Sequence, residues 1–564
     1  NPQFGAQNDR VFMLGRQDGK LQLLSADLDG DARQVHAEGE LATEYHVSPR
    51  GDFVAFRENY EAFAMPLLPG GQAVTVGEEA SSLPVVRASK GGADYIGWTE
   101  GGDMLTWSMG PVLYRASLAS MFASAPKDKD APKFVPPTSG TSLERTVSAD
   151  KPRATVAITG AKILTMTGDG AGEIADGTIV IVGDRIAAVG PASSVEIPQG
   201  ATMIDAAGKT IMPGLVDAHA HGPQGVGDLV PQQNWSLVQN LAMGTTTIHD
   251  PSSSASMILS NSERQQAGNM LAPPNFSTAE VVYGAKAPGV YARIDSYEDA
   301  LAHIQRIKAQ GGISIKNYNQ PRREQRQQVV AAARAENMLV VAEGGSLFGM
   351  DMNLIADGNS TIEHNVPGEV FYEDVLQFWE GSQSNYTPTL VVTYGGLAAD
   401  PYWRQATDVF DNPLMVHTPP RQLIAQTARR VTAPDWAFVD DEAAREAKKL
   451  ADRGVKVSIG AHGQQAGVAA HWELWSFARG GMSPVEALRA GTIEPARSLG
   501  MERDIGSLEV GKLADLLVLS ADPSENIRNS DKIDRVMLGG RLYDARTMNE
   551  VETGDSRRLP YWWE

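Results

Sequence analysis

IMPGLVDAHAHG, residues 211–222, decides the reading of this chain. An apolar run of strand character ends in two histidines separated by one residue. Side chains at i and i+2 of a strand project to the same side, so His219 and His221 converge and can share one metal ion. Working outward, short apolar strands begin again near Gly244 (GTTTIHD), Asn275 (NFSTAEVV), Gly312 (GISIKN), Met338 (MLVVAE), Asn359 (NSTIEH), Tyr386 (YTPTLVV) and Val455 (VKVSIGA), alternating with helical patterns. Eight strand–helix units in roughly 290 residues are what a (β/α)8 barrel takes. A doubly wound sheet would place a Gly-rich phosphate fingerprint near its first strand, and the sequence has none there. The expected fold class is therefore α/β, a (β/α)8 TIM-like barrel over 211–500.

Catalytic groups of such a barrel sit where strands end. Those ends offer His219 and His221, His249-Asp250, Lys316, Glu343, His364 and His462, which takes five of the ten histidines. His36, His46, His303 and His417 fall outside the pattern and read as surface or turn residues; His471, just beyond strand eight, stays ambiguous. His249-Asp250 reads as support or core rather than ligand. Arg322 and Arg323, in KNYNQPRREQR just past strand four, could fork onto a substrate carboxylate or simply open a helix as a solvated basic patch. Tyr318 and Tyr394 could stabilise a developing oxyanion or pack in the core. The long stretch between strands seven and eight carries Tyr402, Trp403, Phe410, Trp436 and Phe438, and reads as a lid over an apolar group or as an oligomer interface.

The flanks differ in character. Residues 1–118 read as short strands with Gly/Asp turns, and SPRGDFVAFR (48–57) aligns with TEGGDMLTWS (99–108), NDRVFML being a weaker copy. The repeated aspartates, Asp9, Asp52 and Asp103, recur at the ~40–50 residues expected of propeller blades. Fewer than three blades are read here, whereas propellers close with ~4–8, so 1–118 is expected to be an incomplete β-propeller, with a small β-sandwich as the alternative. The missing blades would come from an upstream chain or from copies in a homo-oligomer. Residues 119–153 read as a linker, 154–210 with 501–550 as one composite small β-sandwich, and 551–564 as a C-terminal tail. A net charge of −20 argues against nucleic acid as a partner. The absence of cysteine excludes disulfides, thiolate nucleophiles and Cys-ligated zinc. No apolar run approaches the ~18 residues that cross a bilayer. The start at Asn1-Pro2-Gln3 reads as a processed piece or a fragment.

KTIMPGLVDAHAH, GTTTIHDP and SPVEALRAGTIEPARSLGMERDIGSLEVGKLADLLVLSADP together resemble the amidohydrolase superfamily. Within it they are similar to the branch of imidazolonepropionase-like and prolidase-like amide hydrolases, over about 154–550. SPRGDFVAF resembles the TolB-type propeller, which implies a periplasmic or secreted bacterial protein, a cytoplasmic one being the alternative. The resemblance implies one or two divalent metal ions, zinc foremost. Their ligands would be an HxH pair, a lysine, often carboxylated, after strand four, histidines after five and six, and an aspartate after eight. His219, His221, Lys316 and His364 match; Glu343 stands where histidine is usual and His462 where aspartate is usual. One metal is then expected on His219, His221 and His462, the other on Glu343 and His364, with carboxylated Lys316 bridging. A Lys316–Glu343 salt bridge beside a mononuclear site is the alternative. Glu343 becomes the expected general base and His462 the second choice. The implied activity is cleavage of an amide C–N bond in a small carboxylate-bearing substrate, an N-acyl amino acid or dipeptide, by water that a metal activates. Cyclic-amidine deamination, lactone or ester hydrolysis, and a binding protein without catalysis are the alternatives; the family's deaminases are typically mononuclear and lack the lysine.

Overall fold

The computed structural model describes residues 2–564 apart from 69, 71, 81, 124–133, 227–228, 288, 346, 369 and 428–431. The chain forms two compact units, one of residues 1–146, 280–312 and 320–337, the other of 147–279, 313–319 and 338–564.

The second unit is built on short parallel strands whose residues are almost all buried, as parallel sheets covered on both faces must be. Leu215–Asp217 (β1), Thr245–Asp250 (β2) and Asn275–Ser277 (β3) form one parallel sheet. Ser314–Asn317 (β4), Leu339–Glu343 (β5), Thr361–Glu363 (β6) and Asn385–Thr387 (β7) form another. Ile313 N donates to Ser277 O at 3.0 Å, Ser458 N to Tyr386 O at 2.9 Å, and Ala218 N to Ile459 O at 3.2 Å. The expected eighth strand is reduced to a parallel bridge between Tyr386 and Val457. Leu215, Val238, Leu241, Ile362, Tyr386, Trp472 and Leu474 share one buried core that joins strands to helices.

The first expected strand is in fact two. Thr210–Pro213 pairs antiparallel with Leu516–Leu519 in an eight-stranded sheet, and β1 starts only at Leu215. Pro213 has no N–H to continue a ladder. Gly214 lies so close to β2 that a Cβ would fall 2.1 Å from Thr246 Oγ1. The eight-stranded sheet takes strands from both flanks, including Thr155–Leu164, Glu173–Val182 and Ile533–Leu538, over a core of Ile158, Ile181, Val518 and Leu542. The expected tail packs instead of trailing: Tyr561 is buried, its hydroxyl 2.8 Å from His417 Nδ1 and its ring stacked on Trp563 at 4.5 Å. The aromatic stretch between strands seven and eight is core, not lid. Tyr402 meets Trp403 and Phe438 at 4.9 and 5.2 Å, and Trp403 Nε1 donates to Ser476 Oγ on helix Val468–Arg479. Trp436, 83% exposed, is the exception; the Phe410 side chain lies outside the described residues.

The first unit holds three sheets, where the sequence suggested fewer than three blades: one around Arg10–Gln17 and Lys20–Asp27, one around Phe53–Glu58 and Glu61–Pro66, and one around Met104–Met109 and Val112–Ser117. The sequence repeat is a repeated turn. Gly51 and Gly102 both adopt positive φ, their N–H groups donating to Ser48 O and Thr99 O at 2.8 Å. Ser48 and Thr99 hydroxyls donate to Asp52 and Asp103 at 2.8 and 2.9 Å. Strands Gln34–Gly39 and Glu44–Val47 carry polar residues that hid them from an apolar pattern. Thr141–Ser142, inside the expected linker, adds an edge strand to Val112–Ser117; part of that linker, 124–133, lies outside the described residues. His36, His303 and His417 are buried rather than at the surface, His36 Nε2 lying 2.6 Å from Ser25 Oγ and His303 Nε2 3.2 Å from Arg293 O. Among the described residues no helix is long and apolar enough to cross a membrane.

Candidate metal centre

Four imidazoles meet at the C-terminal ends of the parallel strands. The His219 ring centroid lies 5.0 Å from those of His221 and His364 and 5.1 Å from that of His462; His221 and His462 are 4.8 Å apart. One ring nitrogen each of His219, His364 and His462 fall within 4.8 Å of one another, so the cluster could bind a metal ion. Two of the four adopt a left-handed backbone, His364 at φ 67° and His462 at φ 56°, which costs on the order of 1 kcal/mol each and is tolerated where the surroundings over-determine it. They do so here. His364 N donates to Thr387 O at 2.9 Å and to Thr389 Oγ1 at 3.1 Å, and His462 N donates to His219 O at 2.7 Å. The buried Asp217 carboxylate accepts from His219 N and Ala461 N at 3.2 and 3.1 Å, tying the first ligand loop to the last. Burial raises its pKa to about 7.

The electrostatics assign the ring tautomers. Glu363 Oε1 accepts from Thr361 Oγ1 at 2.5 Å, and its Oε2 lies 2.7 Å from His219 Nδ1; Asp250 Oδ1 lies 2.8 Å from His221 Nδ1. In their ionised form these carboxylates only accept, so both Nδ1 atoms then carry the proton and both Nε2 atoms are bare lone pairs. Those two Nε2 atoms face each other at 3.1 Å. Two lone pairs at that distance repel unless a cation sits between them. Burial, then the Lys316 charge, keeps His219 neutral, and burial likewise brings His462 to about 3 and lowers His364; neutral imidazole is the form that ligates metals. Lys316 Nζ lies 2.5 Å from Glu343 Oε2 but, among the described residues, makes no hydrogen bond of adequate angle, and His364 Nδ1 is likewise without a partner. Burial alone would raise the Glu343 carboxyl, but Lys316 and His364, the latter at 3.3 Å, hold it well below the ordinary carboxylate range. The unpartnered His364 nitrogen fits a site that takes a cation, whereas the Lys316 ammonium does not.

Residues 210–543 match the amidohydrolase family. The chain belongs to that family. It is similar to an imidazolonepropionase of Symbiobacterium thermophilum, 45% identical over 65 residues, which is 11% of this chain and 15% of that protein. Adenine deaminase 3 of Rhizobium meliloti is 26% identical over 62% of this chain, which spans 52% of that relative's length. A 5-methylthioadenosine/S-adenosylhomocysteine deaminase of Moorella thermoacetica is 25% identical over 68% of this chain and 93% of its own length. Among solved structures, a putative prolidase from Bifidobacterium longum superposes with a TM-score of 0.55 at 23% identity, over 73% of this chain and 97% of that one. These likenesses give a TIM-barrel-like fold, with the strand-rich N-terminal region as a separate domain.

In this amidohydrolase His219, His221, Lys316, Glu343, His364 and His462 come together. Tyr318 is half-buried at the end of β4. Tyr394 places its ring 5.3 Å from that of His364. Arg322 and Arg323 belong to the other unit, exposed at the start of helix Arg323–Ala335. Arg322 donates to Ile294 O at 3.0 Å and sits 3.4 and 3.5 Å from Asp295 and Glu324. His249 is satisfied by Ala218 O and Ser314 Oγ, and His471 by Met243 O and Ser530 Oγ, so both are core. Glu363 and Asp217 went unnoticed in the sequence; the available signal was an acid closing an apolar strand, IE before His364 and VD before Ala218. A separate cavity of about 800 Å3, lined among others by Asp515, Arg541 and Tyr543, contains none of the histidines.

Proposed function

We propose that this amidohydrolase cleaves an amide C–N bond of a small substrate, with one or two divalent cations, zinc foremost, on His219, His221, His364 and His462. The observation that carries the reading is the pair of bare Nε2 atoms facing each other at 3.1 Å, each ring fixed from behind by a buried carboxylate. A bound divalent cation supplies Lewis acidity toward a carbonyl oxygen and acidifies water. The chain's own groups do the rest. Glu363 and Asp250 orient the imidazoles and raise their basicity. Glu343 takes a proton from the attacking water and delivers it to the leaving nitrogen. Beside an ammonium that carboxylate is too weak a base for the task. Carboxylation of Lys316, in which the amine and carbon dioxide give a carbamate and a proton, removes the cation and lets burial raise Glu343 toward a working range. The carboxylate-bearing part of the expected substrate rested on Arg322 and Arg323, both exposed in the other unit, Arg322 already paired with Ile294, Asp295 and Glu324, and is not carried into this reading. The two parallel sheets read as one closed eight-stranded barrel; in the first unit, the three N-terminal sheets read as blades of an incomplete propeller, supported by the repeated Gly-Asp turn.

Deamination is a second reading, favoured by the Moorella thermoacetica relative. Metal per chain, measured on protein purified without chelators, tests both. About two equivalents, with hydrolysis of N-acyl amino acid amides, support the bridged centre; one equivalent, with ammonia released from an amidine or aminopurine, supports deamination and leaves Lys316 in its salt bridge. Metal-free protein that takes up neither zinc nor manganese sinks both. Glu343→Gln abolishes turnover while the fold persists if this residue is the base.

A further inference from the structure

The segments that follow β1, β2, β5, β6, β7 and the Val457 bridge are residues 222–234, 251–254, 344–347, 365–372, 388–398 and 463–467. They contain no lysine or arginine and only two acids, Asp228 and Glu369, in a chain that is 21% charged. In place of charge these segments and the helix start beside them present large apolar side chains to solvent. Leu347 is 66% exposed and Phe348, the first residue of helix Phe348–Ala356, 41%; Val226, Leu229 and Tyr372 are more exposed still. Single exposed apolar residues need no explanation, but a group of them at the strand ends that carry the histidines marks a contact surface.

Tyr394 shows that this surface is built. Its backbone is clamped by one side chain: Tyr394 N donates to Asn365 Oδ1 at 2.7 Å, and Asn365 Nδ2 donates to Tyr394 O at 3.1 Å. Its ring lies over Gly345, where φ is +90° and a Cβ would fall 2.2 Å from Tyr394 Cε2. A glycine there leaves the ring its place beside His364, with 43% of the residue exposed. Phe348 leans on the next loop, a Cβ at Gly368 lying 3.8 Å from its Cδ2. Beside His364 the wall is thus the Tyr394 ring, and no guanidinium or ammonium of these six segments can pair with a substrate carboxylate.

We infer that the substrate group flanking the reacting bond is uncharged and apolar, aryl or branched alkyl, seated against Tyr394, Phe348 and Leu347. The inference takes its scissile amide from the reading above, but binding tests it without turnover. Equilibrium binding of 4-butylbenzamide and 4-carboxybenzamide to the zinc-loaded full chain is measured by calorimetry, alongside hydrolysis of the matched anilides. The butyl ligand is expected to bind at least about tenfold tighter, the order one apolar contact surface supplies. Leu347→Lys, at a position exposed enough to accept it, is expected to shrink that ratio by favouring the carboxylate, and Tyr394→Ala to loosen the butyl ligand alone. Equal or tighter binding of the carboxylate by the unaltered chain, an unchanged ratio in Leu347→Lys, or no measurable binding of either ligand overturns the inference. The expected binding order without turnover of any amide supports it while the hydrolase reading fails; turnover with the reversed order does the opposite.

Discussion

Replacing Glu363 by glutamine separates the two jobs a buried carboxylate does behind a metal ligand. The substitution is isosteric. The amide oxygen can still accept from His219 Nδ1, and the amide NH2 can face Thr361 Oγ1, a hydroxyl able to accept. The ring therefore keeps its tautomer and loses only the charge behind it. Loss of such a partner typically costs 10–100-fold in metal affinity, roughly 1.4–2.7 kcal/mol. Stability of the metal-free protein should move the other way. Burial raises the Glu363 carboxyl from its ordinary 4.5 to about 7. An acid whose folded-state pKa is raised binds more protons folded than unfolded between those values, so stability present at low pH is lost as pH climbs from 4.5 through 7. The loss is on the order of 3 kcal/mol above both values, and glutamine does not suffer it. Metal-free Glu363→Gln should melt no lower than the unaltered chain at pH 8 and lose its relative advantage at pH 5, while a competing chelator strips its zinc at least about tenfold more easily. Undiminished zinc affinity would refute the assignment of Glu363 as the partner that charges His219. A large drop in the melting temperature of the metal-free variant would make the residue structural instead.

Three further outcomes follow from the packing. Gly463→Ala places a Cβ 2.1 Å from His221 O at a φ of +77°, so metal content measured by mass spectrometry should fall well below that of the unaltered chain even where circular dichroism shows a folded protein. Trp403→Ala should cost about 3–5 kcal/mol in urea unfolding, the price of a large core deletion, whereas exposed Trp436→Ala should stay within about 0.5 kcal/mol; the reverse order would restore a lid reading of the aromatic stretch. Tyr561→Phe removes the hydroxyl 2.8 Å from His417 Nδ1 and should lower stability by about 1 kcal/mol, measured the same way.

The barrel strands were legible because period and residue type agree in them: GISIKN, MLVVAE and NSTIEH are apolar runs closed by a chemical group, and Lys316, Glu343 and His364 stand where they end. Boundaries were less so. Nothing in IMPGLVDAH reveals that Pro213 closes one sheet and Leu215 opens another, since the approach of Thr246 to Gly214 that separates them is tertiary. The polar strands Gln34–Gly39 and Glu44–Val47 were invisible for a similar reason, as main-chain pairing, not an apolar face, defines them. Within the site the division is chemical. Histidine is scarce, ten in 564 residues, so five at strand ends stand out; Asp and Glu number 69, and nothing local marks the few that lie buried. Asp250 was reachable because it adjoins a histidine at a strand end, yet His249, the more conspicuous of the two, turned out to be core. Glu363 was masked by its neighbour: His364 follows β6 in a left-handed backbone, so both side chains reach His219, and the sequence shows only which one resembles a ligand. Its role depends on the Thr361 hydroxyl occupying one oxygen and so leaving the other for His219. That constraint fixes the His219 tautomer, the tautomer bares Nε2, and the bare nitrogen facing its twin on His221 calls for a cation. The candidate ligands can be read from the sequence, but what suits them to hold a metal lies in the carboxylates behind them.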